Sequence, residues 1–417
     1  MKALINAWYR WFKKQPWSLK WFLWLILLMP FIATFYDLKG EGRLSPLQIA
    51  GALSFFVFLK YIIQVRVRLK PYERLLVIFG FLLVANHAYF LIDNFSIGNL
   101  GYVLRNLHPL LLYFYLRRVI RSREELEGVL MTFVVASIFP YSILIYEIIF
   151  DPIKEVYIQE SRGGFTRLNG FYADIFSYIA YVIGNFVILI YFSLKSKLKL
   201  SLLGAGAVLF ITLLGIQGLS HQASWGVFLA IVLSILLVSR NTRLAKQFSI
   251  IVGIGFLLGG GFFLNKFIVP LFSKEIGAYT GESNKEKALN GRIVRWQHYF
   301  EIWEEMPAYS KVFGVGLSGS KYTRSMMSGG MHSDYVRFMF ATGIFGIICY
   351  LLFYASLMRA LNGFRKPEKY LFFSTIVIMM LYGLTANPFG SSGALIYLTL
   401  SAFAFCALDK KTIYGKY

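Results

Sequence analysis

Apolar residues in this chain gather into long, nearly unbroken runs separated by short polar or basic stretches. A helix needs about 20 such residues to cross the ~30 Å hydrocarbon layer of a bilayer. That criterion predicts about twelve spans: Trp21 to Tyr36, Leu47 to Val65, Leu75 to Ile92, Tyr102 to Leu116, Val129 to Phe150, Ile175 to Leu194, Leu202 to Ile216, Trp225 to Val238, Phe248 to Val269, Tyr335 to Met358, Tyr370 to Leu384 and Ala394 to Leu408. The predicted fold class is an all-α polytopic membrane protein. Residues 1–417 read as a single membrane domain, with no internal repeat and no low-complexity tract.

Composition supports that picture. With 57% hydrophobic and 18% aromatic residues, the chain has too few polar side chains to cover a water-soluble globule of its 417 residues. Positive charge then orients the runs, because short connections rich in Lys and Arg stay cytoplasmic. Alternate connections carry Arg66, Arg68 and Lys70; Arg117, Arg118 and Arg123; Lys195, Lys197 and Lys199; Arg240 to Lys246; Arg359 to Lys369; and Lys410 with Lys411. The intervening stretches "DNFSIGN", "GLSHQAS" and "NPFGSSG" hold neither Lys nor Arg. Both termini are therefore expected in the cytoplasm, with the basic, aromatic "WYRWFKK" against anionic headgroups as a retained anchor. The net charge of +22 is a topology signal and does not call for nucleic acid. Cys349 and Cys406 both fall within spans and give no disulfide framework or metal spacing.

Two outer connections exceed what a helical hairpin needs: 151–174 and the long loop 270–333 between spans 9 and 10. Within the second, "NGRIVRWQHYFEIWEEMP" puts Ile293, Trp296, Phe300 and Trp303 at one-face spacing, which predicts an amphipathic helix flat on the membrane or roofing a cavity. Asn290 is placed to cap it and Pro307 to end it. The following "KVFGVGLSGSKYTRSMMSGG" is rich in turn residues with amides suited to an anion, but lacks a P-loop pattern.

Several charged groups lie at the outer edge of the spans, where each needs a partner or a purpose. Arg105, with His108 three residues on, either snorkels or faces an anion. Arg167 stands among Gly163, Gly164 and Gly170, which permit close backbone approach. Arg292 and Arg295 share a face of the flat helix. His332, Asp334 and Arg337 crowd the start of the tenth span, with Ser333 as its N-cap and Tyr335 following; a capped helix with a charged rim is the plain structural alternative. His221 occupies a very short outer turn. Together these residues suggest a pocket on the outer face in which guanidinium groups hold phosphate and a neutral imidazole takes a proton. No ligand cluster for a metal is present in the outer loops, so the expected chemistry is metal-independent and needs no cofactor.

The order of parts from Gly204 to Leu352 resembles the bacterial O-antigen polymerase and O-antigen ligase superfamily. It comprises a Ser-containing turn opening the eighth span, "GR" with a following Trp (Gly291, Arg292, Trp296), "FGVG" (Phe313 to Gly316), "HSDY" (His332 to Tyr335) and "TGIFG" (Thr342 to Gly346); "RLNGFYAD" matches more weakly upstream. The resemblance implies a GT-C type glycosyltransferase of the bacterial inner membrane whose donor is undecaprenyl-pyrophosphate-linked glycan, used on the periplasmic face with inversion. Arg292 matches the family's pyrophosphate-contacting arginine and His332 the histidine that activates the acceptor hydroxyl. Where the family usually has Ser-Arg, this chain has Ser220-His221, and Arg295, Arg167 or Arg105 would have to replace that contact. The acceptor is a second lipid-linked glycan for a polymerase, which the "H-x-D-Y-x-R" form favours, or the lipid A core for a ligase. Transfer of glycan to protein is a lesser alternative. A chain-length regulator protein is a candidate partner, alongside bilayer lipids. From outside the family, a polysaccharide or lipid transporter competes on the strength of twelve spans and the Gly-rich "GIGFLLGGGFF".

Overall fold

The structure is a computed structural model that describes residues 2–38, 46–64, 69–93, 95–153, 156–157, 166–172, 175–195, 197–198, 201–219, 222–239, 242–255, 257, 261, 265, 269, 272–282, 292–316, 333–386, 388–390 and 394–408. Seventeen α-helices fall among these residues. They are α1 (Lys2–Lys14), α2 (Trp17–Ile32), α3 (Pro46–Gln64), α4 (Pro71–Asp93), α5 (Ile97–Val119), α6 (Arg123–Ala136), α7 (Ile138–Ile149), α8 (Ile175–Leu194), α9 (Leu202–Leu219), α10 (Gln222–Val238), α11 (Arg243–Gly255), α12 (Ser273–Thr280), α13 (Arg292–Glu305), α14 (Ala308–Phe313), α15 (Asp334–Ala360), α16 (Lys366–Thr385) and α17 (Ala394–Cys406). A two-residue antiparallel pair, β1 (Val156–Tyr157) with β2 (Thr166–Arg167), joins the two sides of the connection between α7 and α8.

Five of the described helical stretches are long and apolar enough to cross a membrane: Trp17–Phe35, Pro71–Ile92, Arg123–Ile149, Leu202–Leu219 and Asp334–Gly363. The fold is thus that of an all-α membrane protein. Four shorter apolar helices accompany them, Ile49–Gln64, Tyr178–Leu194, Gln222–Val238 and Ala394–Cys406. Large side chains such as Phe56, Phe81, Leu203, Phe210, Leu229 and Leu237 are exposed on the outside of the bundle, the arrangement expected where hydrocarbon replaces water as solvent.

The helix order in space follows from which faces are apolar. Every residue of α17 is buried, because its sequence is apolar all round and offers no face for solvent. It packs on α5, α6, α8 and α16 and forms the central post. Around it, α4 runs along α15, α10 along α16, α3 along α5, and α2 along α6. The amphipathic α1 lies on α6, where Trp8 Nε1 donates to Thr132 Oγ1 at 2.8 Å and the Trp11 indole rests on Gly128.

Ion pairs fasten the bundle at the end that carries the basic connections. Arg117 of α5 pairs with Glu73 of α4 at 2.6 Å, and Tyr113 donates its hydroxyl to the same carboxylate at 2.7 Å. Lys195 and Lys197 pair with Glu127 of α6, while Arg123 reaches Glu368 of α16 at 3.1 Å. Part of the charge read as a topology signal therefore also ties helices together.

Candidate functional site

The start of α15 is built from the "HSDYVR" segment. His332 itself lies outside the described residues, as do His221, Ser220, Asn290 and Gly291. Ser333 is the N-cap, its Oγ accepting from Val336 N–H at 3.5 Å and donating to Gly383 O of α16 at 3.1 Å. Asp334 is fully buried. Its Oδ2 accepts from Phe389 N–H at 2.9 Å and its Oδ1 pairs with Arg337 Nη2 at 2.9 Å. Tyr335 donates its hydroxyl to Met380 O at 3.1 Å. The start of α15 is held against α16 by Ser333 and Tyr335 and against the 388–390 turn by Asp334.

Arg337, only 2% exposed, extends this cluster across the bundle. Its Nη1 donates to Asn106 Oδ1 of α5 at 3.2 Å, and its guanidinium lies 4.9 Å from the Phe338 ring centre. Asn106 Nδ2 then meets His87 Nε2 of α4 at 3.3 Å, while His87 Nδ1 faces Leu83 O at 2.8 Å. A carbonyl only accepts, so Nδ1 carries the proton and Nε2 is the acceptor. Three helices thus share one chain of hydrogen bonds that ends on a buried ion pair. Sequence reasoning missed Asn86 and Asn106, although for Asn86 a polar residue interrupting the apolar run "LLVANHAYF" was a visible signal.

Two turns further along, α15 breaks. Gly343 adopts φ 63° and ψ −173° inside it, which releases carbonyls that would have accepted from amides four residues ahead. Val315 N–H takes Phe340 O at 2.8 Å, and Asn86 Nδ2 takes Ala341 O at 2.8 Å and Phe313 O at 2.7 Å. Non-helical backbone at this depth is tolerable because protein groups satisfy it. The glycines are required by the contact: a Cβ on Gly314, at φ 87°, would meet Thr342 N at 2.5 Å, and one on Gly343 would overlap Val312 O. The "FGVG" and "TGIFG" segments are two sides of one joint.

The helix expected in the long outer connection is present as α13, with a rotated contact face. Trp296, Tyr299, Ile302, Trp303 and Met306 pack with Val336, Met339 and Phe340 of α15. Ile293 (38%) and Phe300 (48%) are exposed. Arg292 and Arg295 are half-buried, and the spacing 292, 295, 299, 302, 306 continues the docked stripe by alternating steps of three and four, the repeat of a helix face that seats on another helix. Burial pushes the Tyr299 hydroxyl above its usual pKa, with Arg295 as a weaker opposing influence.

A second outer assembly surrounds Arg167. Its backbone pairs with Val156, Leu168 N–H donates to Gly218 O of α9 at 2.9 Å, and Gly170 N–H donates to Glu147 Oε1 of α7 at 2.9 Å. The "RLNG" segment and the end of α9 are brought together. Arg105 stands apart, exposed on α5, whereas its neighbour Asn106 points into the bundle. His108 is buried, 5.4 Å from Phe58 and 6.4 Å from Tyr397 between ring centres. Among the described residues no group of three or more His, Cys, Asp or Glu is arranged to hold a metal ion. No protein-family model matches the chain, and comparison with curated proteins finds no match.

Proposed function

We propose that this chain is an inverting, metal-independent glycan polymerase of GT-C type with twelve spans. It joins undecaprenyl-pyrophosphate-linked oligosaccharides at the periplasmic face of a bacterial inner membrane, with both termini in the cytoplasm. In this reading His332 takes the proton of the acceptor hydroxyl as its oxygen attacks the anomeric carbon of the donor. The bond from that carbon to the pyrophosphate oxygen breaks on the opposite side. Arg292, with Arg295 and Arg167, receives the departing anion through bidentate hydrogen bonds. Asp334 and Arg337 keep the helix turn that follows His332 in place.

The observation that carries this reading is the meeting of separate motifs at α15. The Arg-bearing stripe of α13 and the Phe313–Gly316 turn pack on the helix whose N-cap follows His332 and which carries the Thr342–Gly346 break. A second reading, transport of a lipid or polysaccharide, is favoured by the break itself, since interrupted helices line transporter sites. Purified protein supplied with lipid-linked repeat unit, with and without core lipid A, separates the readings on a gel. A ladder without core lipid A means polymerase, one block transferred onto it means ligase, and absence of product together with movement of the lipid across vesicles means transport.

A further inference from the structure

Glu147 has no part in the reaction described above, yet it is a carboxylate 3% exposed near the outer end of α7, where an ionisable group demands a purpose. Its Oε1 accepts from Gly170 N–H at 2.9 Å and from Ile153 N–H at 3.2 Å. Those amides come from opposite ends of the 151–174 connection, so one oxygen closes the connection on itself. At Gly170, φ is 54° and a Cβ would meet Ile143 Cγ2 at 2.9 Å and Tyr178 Cε1 at 3.2 Å, which seats this backbone directly on α7 and α8. Arg167 is therefore anchored by its pairing to Val156, by Leu168 on Gly218, and by Gly170 on Glu147.

We propose that Glu147 is a positioning residue that fixes how Arg167 is presented beside the end of α9, and so sets the grip of the outer face on a lipid-linked phosphate. The inference rests on the reading of Arg167 as a phosphate-binding residue. Glu147 Oε2 is buried with no hydrogen-bond partner among the described residues. The role thus needs an acceptor at Oε1 and no net charge, and a glutamine amide supplies that acceptor equally well.

The test uses the full chain in nanodiscs, with hydrogen exchange over 166–172 and binding of undecaprenyl pyrophosphate as readouts. Glu147→Ala speeds exchange at the Leu168 and Gly170 amides and weakens binding on the order of tenfold, the worth of one hydrogen bond. Glu147→Gln leaves both at the wild-type level. Arg167→Ala weakens binding to a similar degree, and adding Glu147→Ala to it weakens binding no further, as coupled positions require. Unchanged binding in Glu147→Ala, a loss in Glu147→Gln equal to that in Glu147→Ala, or full additivity with Arg167→Ala would each overturn the inference. Chain growth by the wild type is followed in parallel. Its absence counts against the polymerase reading, while the binding comparison decides Glu147 in either case.

Discussion

Arg337 and Asp334 occupy surroundings that reject either charge alone. Removing one partner of a buried pair leaves the other uncompensated, at a cost of about 3–5 kcal/mol, whereas replacing both is often near neutral. Arg337→Ala and Asp334→Ala should each lower the unfolding temperature in detergent far more than the double variant Asp334→Asn with Arg337→Met, in which Asn can still accept from Phe389. Equal losses in single and double variants would show that the two charges do not balance one another. The i, i+3 spacing of the two residues is visible in the sequence, but there Arg337 reads as a phosphate contact and is not paired with Asp334. Asn106 was not legible, since it lies 231 residues away from Arg337 and only the packing of α4, α5 and α15 joins them. Glu147 was hidden for a similar reason: its partners are backbone amides, which leave no mark on residue type.

At the scale of elements, the joint between α14 and α15 depends on glycine at fixed points. Gly343→Ala combines a left-handed φ with backbone overlap, each worth about 1–3 kcal/mol, and should abolish folding as judged by a size-exclusion profile. Gly226→Ala in α10 meets nothing within 4 Å and should be neutral or slightly stabilising. The docking of α13 carries a pH signature. Tyr299 has its folded pKa raised by burial above the ordinary value of 10.0, so its contribution is fully present below that pH and is lost as pH rises through the folded pKa. Protection of the α13 amides, taken relative to the intrinsic exchange rate at each pH, should therefore fall in strongly alkaline buffer, and Tyr299→Phe should remove this dependence. Periodicity in the sequence located α13 but misjudged its face: Trp296 and Trp303 belong to the contact, while Tyr299 and Met306 replace Ile293 and Phe300. Both stripes are apolar, and only the docking against α15 shows which one the protein buries.

Across the whole molecule, the alternation of basic and uncharged connections predicts an orientation that labelling can check. In a background lacking Cys349 and Cys406, Arg365→Cys should react with a membrane-impermeant maleimide only after permeabilisation, and Ile153→Cys and Glu282→Cys should react in intact cells. The reverse pattern would invert the proposed placement of the site. The apolar runs were legible because a bilayer demands long stretches of one character. Where α10 and α17 are shorter, neighbouring helices supply the surroundings that length would otherwise secure. The break in α15 constrains how anything reaches the arginines of α13. Lifting the 313–315 turn away would strip Phe340 O of the Val315 amide and Phe313 O of the Asn86 amide, and away from water each orphaned group costs several kcal/mol. The segment leading from α14 is thus riveted to α15 at that corner and does not swing open as a lid; on the proposed reading, a long-chain substrate would have to slip in sideways between helices, from within the leaflet.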